Sequence, residues 1–214
     1  MKKWRWKTAQ WFELRWWKNY LHGKNRGEYL AWKKNYWKNI QERILDPKSL
    51  SEDQTVIDFG CGPAGIFIAL PENKITAVDP LLNDYENQLP FFRKTDYPNV
   101  NFVSGNMEEF SSAGKFDFVF CMNAINHVND IEKAFDVLAN SANENGKIIF
   151  SIDSHNFSFF KFLFRLIPGD ILHPHQYDLA EYQTFFEKRG LKILRSELLK
   201  KEFVFSHYLL LISN

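Results

Sequence analysis

A doubly wound α/β fold, with seven mostly parallel strands and an N-terminal helical cap, is what this sequence predicts. Three observations predict it. From Thr55 onward, short apolar runs alternate with longer amphipathic segments, the pattern made by strands and crossover helices wound into one sheet. A tight glycine bend, Gly60-Cys61-Gly62, follows the first run, at the strand end where open parallel sheets receive ligands. Charge divides the chain: residues 1–45 carry 12 Lys/Arg against 3 Asp/Glu, net +9, while residues 46–214 carry 15 against 23, net −8.

The basic segment holds all seven tryptophans within its first 37 residues. It reads as two helices broken near Gly23–Gly27, the second with Tyr29, Trp32, Tyr36, Ile40 and Ile44 at helical spacing. Tryptophan interleaved with lysine and arginine suits a cap packed on the acidic remainder, a membrane-surface helix or a nucleic-acid stacking platform. The cap is the plainest of the three, and nucleic acid is the least favoured. Leu45–Asp53 has the proline, serine and acidic residues of a linker, so the cap is assigned to residues 1–48 and the main domain to 49–214.

Strands are expected at Thr55–Phe59, Lys74–Val78, Val100–Ser104, Phe116–Met122, Lys147–Asp153, Leu191–Leu199 and Phe203–Ile212. Helices are expected at Asp130–Ala142, where Ile131, Ala134, Phe135 and Leu138 share a face, and at Leu179–Arg189. With 214 residues, 45% hydrophobic and 25% charged, the chain is long enough for one sizeable core with an extension. Its N-terminus has no secretory pattern and no segment nears ~20 apolar residues, so the expectation is a cytoplasmic protein, with peripheral membrane association as the alternative placement. Cys61 and Cys121 lack pairing or metal-ligand spacing, and no metal site is expected.

Gly60-x-Gly62-x-x-Gly65 also fits the spacing of flavin- and nicotinamide-binding domains. Three features oppose that reading. Only Ile66–Leu70 separate Gly65 from Pro71, too few for the full helix whose N-terminus holds a pyrophosphate. Asp79 arrives 14 residues after Gly65, earlier than the usual ~20. Asp58, at the end of the first strand, would repel a diphosphate but suits a ligand carrying an ammonium and a sulfonium.

The Asp58-x-Gly60-x-Gly62 turn resembles that of the class I S-adenosylmethionine-dependent methyltransferases, specifically the small-molecule "type 11" group, over roughly residues 50–214. Four further segments match in order: ITAVDP, NFVSGNMEEF, FDFVFCMNAINHV and NENGKIIFSID. The resemblance implies a Rossmann-like fold with S-adenosyl-L-methionine as cofactor. By likeness, Asp58, Gly60 and Gly62 hold the methionine end, Asp79 the ribose hydroxyls, and Asn106 with Met107 the adenine. Asn106 stands where relatives more often have an acid, and an amide oxygen also accepts the adenine hydrogen bond. Asn123 and His127 face the methionine end, and Cys61, Pro80 and Cys121 complete the cofactor neighbourhood.

Methyl transfer from a sulfonium is a displacement for which the protein aligns the acceptor and, for a hydroxyl, removes its proton. His127, His155, His173 and His175 are the candidate catalytic residues, while His22 and His207 are assigned to structure. The aromatic stretch Asn156–Asp170 is expected to begin a lid insertion running to about residue 178. A small apolar, aromatic or lipid-linked acceptor follows, methylated on oxygen or nitrogen. Two rivals stay open: a flavin or nicotinamide oxidoreductase, and a non-catalytic membrane- or RNA-binding module on the same fold.

Overall fold

The structure is a computed structural model and describes residues 3–46, 49–156 and 177–213. Helices α1 (Lys3–Leu21) and α2 (Arg26–Ile44) come first. Seven strands follow: β1 (Thr55–Phe59), β2 (Lys74–Val78), β3 (Val100–Val103), β4 (Phe116–Met122), β5 (Ala142–His155), β6 (Lys192–Lys201) and β7 (Phe205–Ser213). Their order in the sheet is β3-β2-β1-β4-β5-β7-β6. The first five run parallel, and β7 is antiparallel to both neighbours. Helices α3 (Leu82–Gln88), α4 (Ile131–Ser141) and α5 (Leu179–Glu187) complete the alternation.

The predicted strands and helices are all present, with displaced ends. β5 extends past Asp153 because Ser154 and His155 stay paired with Ser206 and Phe205 of β7; the polar side chains hide an extension that backbone pairing sustains. Helix α4 starts one residue later than expected, because Asp130 is its N-cap and accepts from the Lys133 N–H at 3.2 Å. A capping box between Asp178 and Glu181 starts α5.

Each face of the sheet carries its own apolar layer. Ile131, Ala134, Phe135 and Leu138 of α4 pack with α5 on one face. The other is covered by Leu14 and Leu21 of α1 and by Tyr29, Trp37, Ile40 and Ile44 of α2, in one cluster with Val56, Ile75 and Ala77 of the sheet. Here the expected stripe is corrected: Trp37 is buried and Trp32 is 52% exposed. Positions 29, 33, 37, 40 and 44 follow the 3.6-residue period more closely than a line through Trp32 and Tyr36. Lys33 occupies that line, with its ammonium 4.5 Å from the Tyr36 ring centre and 4.6 Å from that of Trp37. Parallel pairing brings the carboxyl ends of β1, β2 and β4 to the same edge, and α1 and α2 lie beside it.

Candidate functional site

The site is built from the bend after β1. Gly60 and Gly62 have φ of +67° and +58°, the left-handed region where a side chain is strained. A Cβ on Gly60 would also sit 2.2 Å from the Ala124 Cβ. The chain then makes two short 3₁₀ turns, Gly62–Ala64 and Ile66–Ile68, in place of a full helix. Gly65 has a different reason: its Cβ would lie 2.3 Å from Asp58 Oδ2, and that oxygen accepts the Ile66 N–H at 2.9 Å. The third glycine of the apparent dinucleotide spacing therefore makes room for a carboxylate.

Asp79, at the end of β2, joins this bend from the side. Its Oδ2 accepts the Gly62 N–H at 3.0 Å and its Oδ1 the Leu81 N–H at 2.8 Å. Burial pushes the Asp58 carboxyl up to about 7, opposed by the Ile66 N–H. Burial likewise pushes Asp79 up to about 6, opposed by the Leu81 and Gly62 N–H groups. It also raises the thiols of Cys61 and Cys121, which marks them as packing groups. Asn106 begins the 3₁₀ turn Met107–Glu109 without capping it through its side chain, so its amide is not spent there. Asn123, following β4, holds φ of +54°, and its N–H donates to Ser151 O at 3.0 Å. Such a conformation outside glycine persists where surrounding contacts enforce it.

These residues line a cavity of about 530 Å³, within the range of small-molecule sites, roughly 300–1,000 Å³. Asp58, Gly60, Cys61, Gly62, Asp79, Pro80, Asn106, Met107 and Asn123 all lie on its wall, and so does His127. Cys121 does not; it is fully buried behind the wall. His155 lies off the wall as well, buried with its ring centre 4.5 Å from that of Phe205. His173, His175 and the insertion from residue 157 to 176 lie outside the described residues.

The wall also contains residues that motif reading did not find. Helix α1 contributes Trp6, Gln10, Glu13, Trp16 and Trp17, and α2 contributes Lys33, Tyr36 and Trp37. Their signal in the sequence is spacing: positions 6, 10, 13 and 17 form one helical line, as do 33, 36 and 37. Trp37 Nε1–H donates to Ala64 O at 2.9 Å, which ties α2 to the glycine bend. Burial pushes the Glu13 carboxyl up to about 8, and the Asp79 charge adds to it. Burial pulls the Lys33 ammonium down to about 8, against the pull of Asp58. His207, assigned to structure from the sequence, stands on the cavity wall. Its Nδ1 is 2.7 Å from Asp153 Oδ1, and the two residues are paired across β5 and β7.

Comparison with known proteins agrees with this geometry. The family described as methyltransferase domain matches residues 29–196. A malonyl-[acyl-carrier protein] O-methyltransferase of Calditerrivibrio nitroreducens is 30% identical over 117 residues, 53% of this chain and 45% of that protein. A ubiquinone biosynthesis O-methyltransferase of Rickettsia akari is 28% identical over 100 residues, 45% of this chain and 39% of that one. The chain thus spans less than half the length of these curated relatives. Among solved structures, magnesium protoporphyrin IX methyltransferase of Synechocystis with bound SAH superimposes with a TM-score of 0.61 at 16% identity, over 96% of this chain and 94% of that one. At that identity the likeness shows the fold.

Proposed function

The chain belongs to the methyltransferase-domain family, and on that premise we propose that it transfers the methyl group of S-adenosylmethionine to an oxygen of a small acceptor, apolar, aromatic or lipid-linked. One observation carries the reading: the carboxylates of Asp58 and Asp79 converge on a glycine bend that has two 3₁₀ turns where a pyrophosphate-binding helix would stand. That combination favours a cationic nucleoside over a dinucleotide and argues against the oxidoreductase alternative. The residues fit the cofactor. Asp79 accepts two backbone N–H groups, and a carboxylate has about four acceptor sites, so capacity remains for ribose hydroxyls.

When bound, the cofactor supplies a methyl group activated on sulfur. The chain's own residues do the rest. Asp58 would hold the methionine ammonium, Lys33 its carboxylate, Asn106 the adenine amino group and Met107 the adenine face, all four lining the cavity. His207 is the base we assign to the acceptor hydroxyl: Asp153 holds Nδ1 at 2.7 Å, which orients the ring and leaves Nε2 as the nitrogen available to the acceptor. His127 shapes the wall beside Asn123. Oxygen as the acceptor atom is supported by the two curated relatives, both O-methyltransferases.

Titration calorimetry with S-adenosylhomocysteine tests the reading, together with transfer of labelled methyl to two probes, a prenylated catechol and a malonyl thioester. One-to-one binding of S-adenosylhomocysteine is expected, with transfer to at least one probe. Absence of binding, or binding of reduced nicotinamide in its place, would overturn it.

A lipid-linked acceptor has its own observation in favour. Trp11, Phe12, Trp16 and Trp32 are 42–53% exposed on the segment that carries the net +9 charge. Exposed aromatics among cations suit an anionic membrane surface. No helix among the described residues is long and apolar enough to cross a membrane, so the contact we propose is peripheral.

A further inference from the structure

A buried amide oxygen on α1 has no described hydrogen-bond partner. Gln10 is 8% exposed, it lines the cavity, and among the described residues its Oε1 accepts no hydrogen bond. An orphaned buried acceptor forfeits its hydration without return unless something satisfies it. One turn further along the same face, Glu13 also lines the cavity and receives the Tyr85 O–H at 3.4 Å. Trp17 continues the line, and its ring lies 3.4 Å from where a Gly62 Cβ would be. Helix α1 thus rests directly on the bend that Asp79 organises, with Gln10 and Glu13 on the cavity wall and Trp11 and Phe12 exposed to solvent.

We infer that α1 completes the ribose grip: the Gln10 amide and the Glu13 carboxyl, together with Asp79, hold the two hydroxyls of the cofactor's ribose from the helical side of the cavity. A vicinal diol offers two donors and two acceptors. Asp79 supplies acceptors only, because its charge and its two backbone bonds define it as one. The Gln10 amide and a protonated Glu13 supply both donors and acceptors, which matches the diol's remaining needs. The apolar and cationic residues elsewhere on α1 do not perform this task, so the grip depends on two side chains of a segment whose composition otherwise points to packing or membrane contact. This rests on the methyltransferase reading and assigns part of the cofactor site to the N-terminal helix.

Calorimetry on the full chain tests it, using S-adenosylhomocysteine and its 2′,3′-dideoxy analogue with wild type, Gln10→Ala, Glu13→Ala and Glu13→Gln. Thermal unfolding of each variant confirms that it is folded. Both alanine variants are expected to bind S-adenosylhomocysteine about tenfold more weakly, the loss of roughly one hydrogen bond. Glu13→Gln, which keeps a donor and an acceptor, should recover most of the affinity. For the dideoxy analogue the alanine variants should match wild type, because the hydroxyls they contact are gone. Equal weakening for both ligands, or none for either, would overturn the assignment. If wild type binds neither ligand, the methyltransferase reading fails and takes this one with it; if wild type binds and the variants bind equally, only the ribose grip fails.

Discussion

Asp58 and Asp79 enter the cavity from strand ends whose backbone is held by parallel neighbours on both sides, whereas Glu13 and Lys33 enter it from two helices lying against one face of the sheet. On the sheet wall, position follows from backbone. A carboxylate at the end of a strand, beside glycines that take positive φ, lands in the cavity whatever surrounds it. On the helical wall, position follows from packing: Trp37, Ile40 and Ile44 must seat against the sheet before Lys33 has a defined place. The sheet wall is therefore specified by short motifs and the helical wall by a spaced stripe. At the glycine bend the two walls are joined by the Trp37 bond to Ala64 and by the Trp17 ring beside Gly62.

Cutting that junction should have the largest effect. Trp37→Ala removes a 5% exposed indole and leaves the Ala64 carbonyl without its indole donor, so unfolding in urea should show a loss of about 3–5 kcal/mol. An unchanged midpoint would mean that the helical wall adds little to the fold. Next is Asp79→Ala on the sheet wall. It strips two buried N–H groups of their acceptor, so it should cost about 2–3 kcal/mol of stability and, by calorimetry, at least tenfold in S-adenosylhomocysteine affinity. Lost affinity at full stability would show that those N–H groups find other partners.

Protonation joins the walls more gently. Glu13, Asp58 and Asp79 all titrate above the ordinary carboxyl range in the folded chain. Between pH about 4 and about 8 the folded state thus keeps protons that the unfolded state has released, and stability falls as pH rises through that window. Each carboxyl contributes at most roughly 1.4 kcal/mol per pH unit. Lys33 is shifted down to about 8, so its contribution is opposite in sign and appears above that pH. Glu13→Gln should flatten the fall between pH about 6 and about 8 in urea titrations, and an unaltered slope would separate Glu13 from the site's electrostatics. The smallest effect concerns the outer surface of the helical wall. Trp11→Ser with Phe12→Ser should weaken sedimentation with vesicles rich in anionic lipid several-fold while leaving S-adenosylhomocysteine binding unchanged, since both side chains are exposed and lie off the cavity wall. Equal retention by neutral and anionic vesicles would remove the charge-based contact.

Residues 55–59, 74–78 and 116–122 are strands by sequence and by structure alike, because continuous apolar runs bounded by glycine, proline and asparagine leave a buried parallel strand little alternative. Asp58, Gly60, Gly62 and Asp79 were legible for the same reason: local backbone requirements coincide with local residue identity. The remainder depended on neighbours distant in the chain. Gly65 reads as part of a dinucleotide spacing until the Asp58 carboxylate is seen beneath it. His207 looks structural until β7 pairs with β5 and sets it beside Asp153, 54 residues earlier. Lys33 and Trp37 take the inward line, and Trp32 leaves it, once the sheet selects which helical line to bury.

By itself, then, the sequence determined the order of strands and helices, the glycine bend and the acids that flank it, since each follows from backbone sterics and apolar period within a few residues. Tertiary structure alone decided which side chains of α1 and α2 face that bend, that His207 joins His127 on the cavity wall, and which carboxyls are deprived of water enough to hold a proton near neutral pH. Those outcomes depend on contacts between segments far apart in the chain, and no local pattern encodes the surface against which a helix will settle.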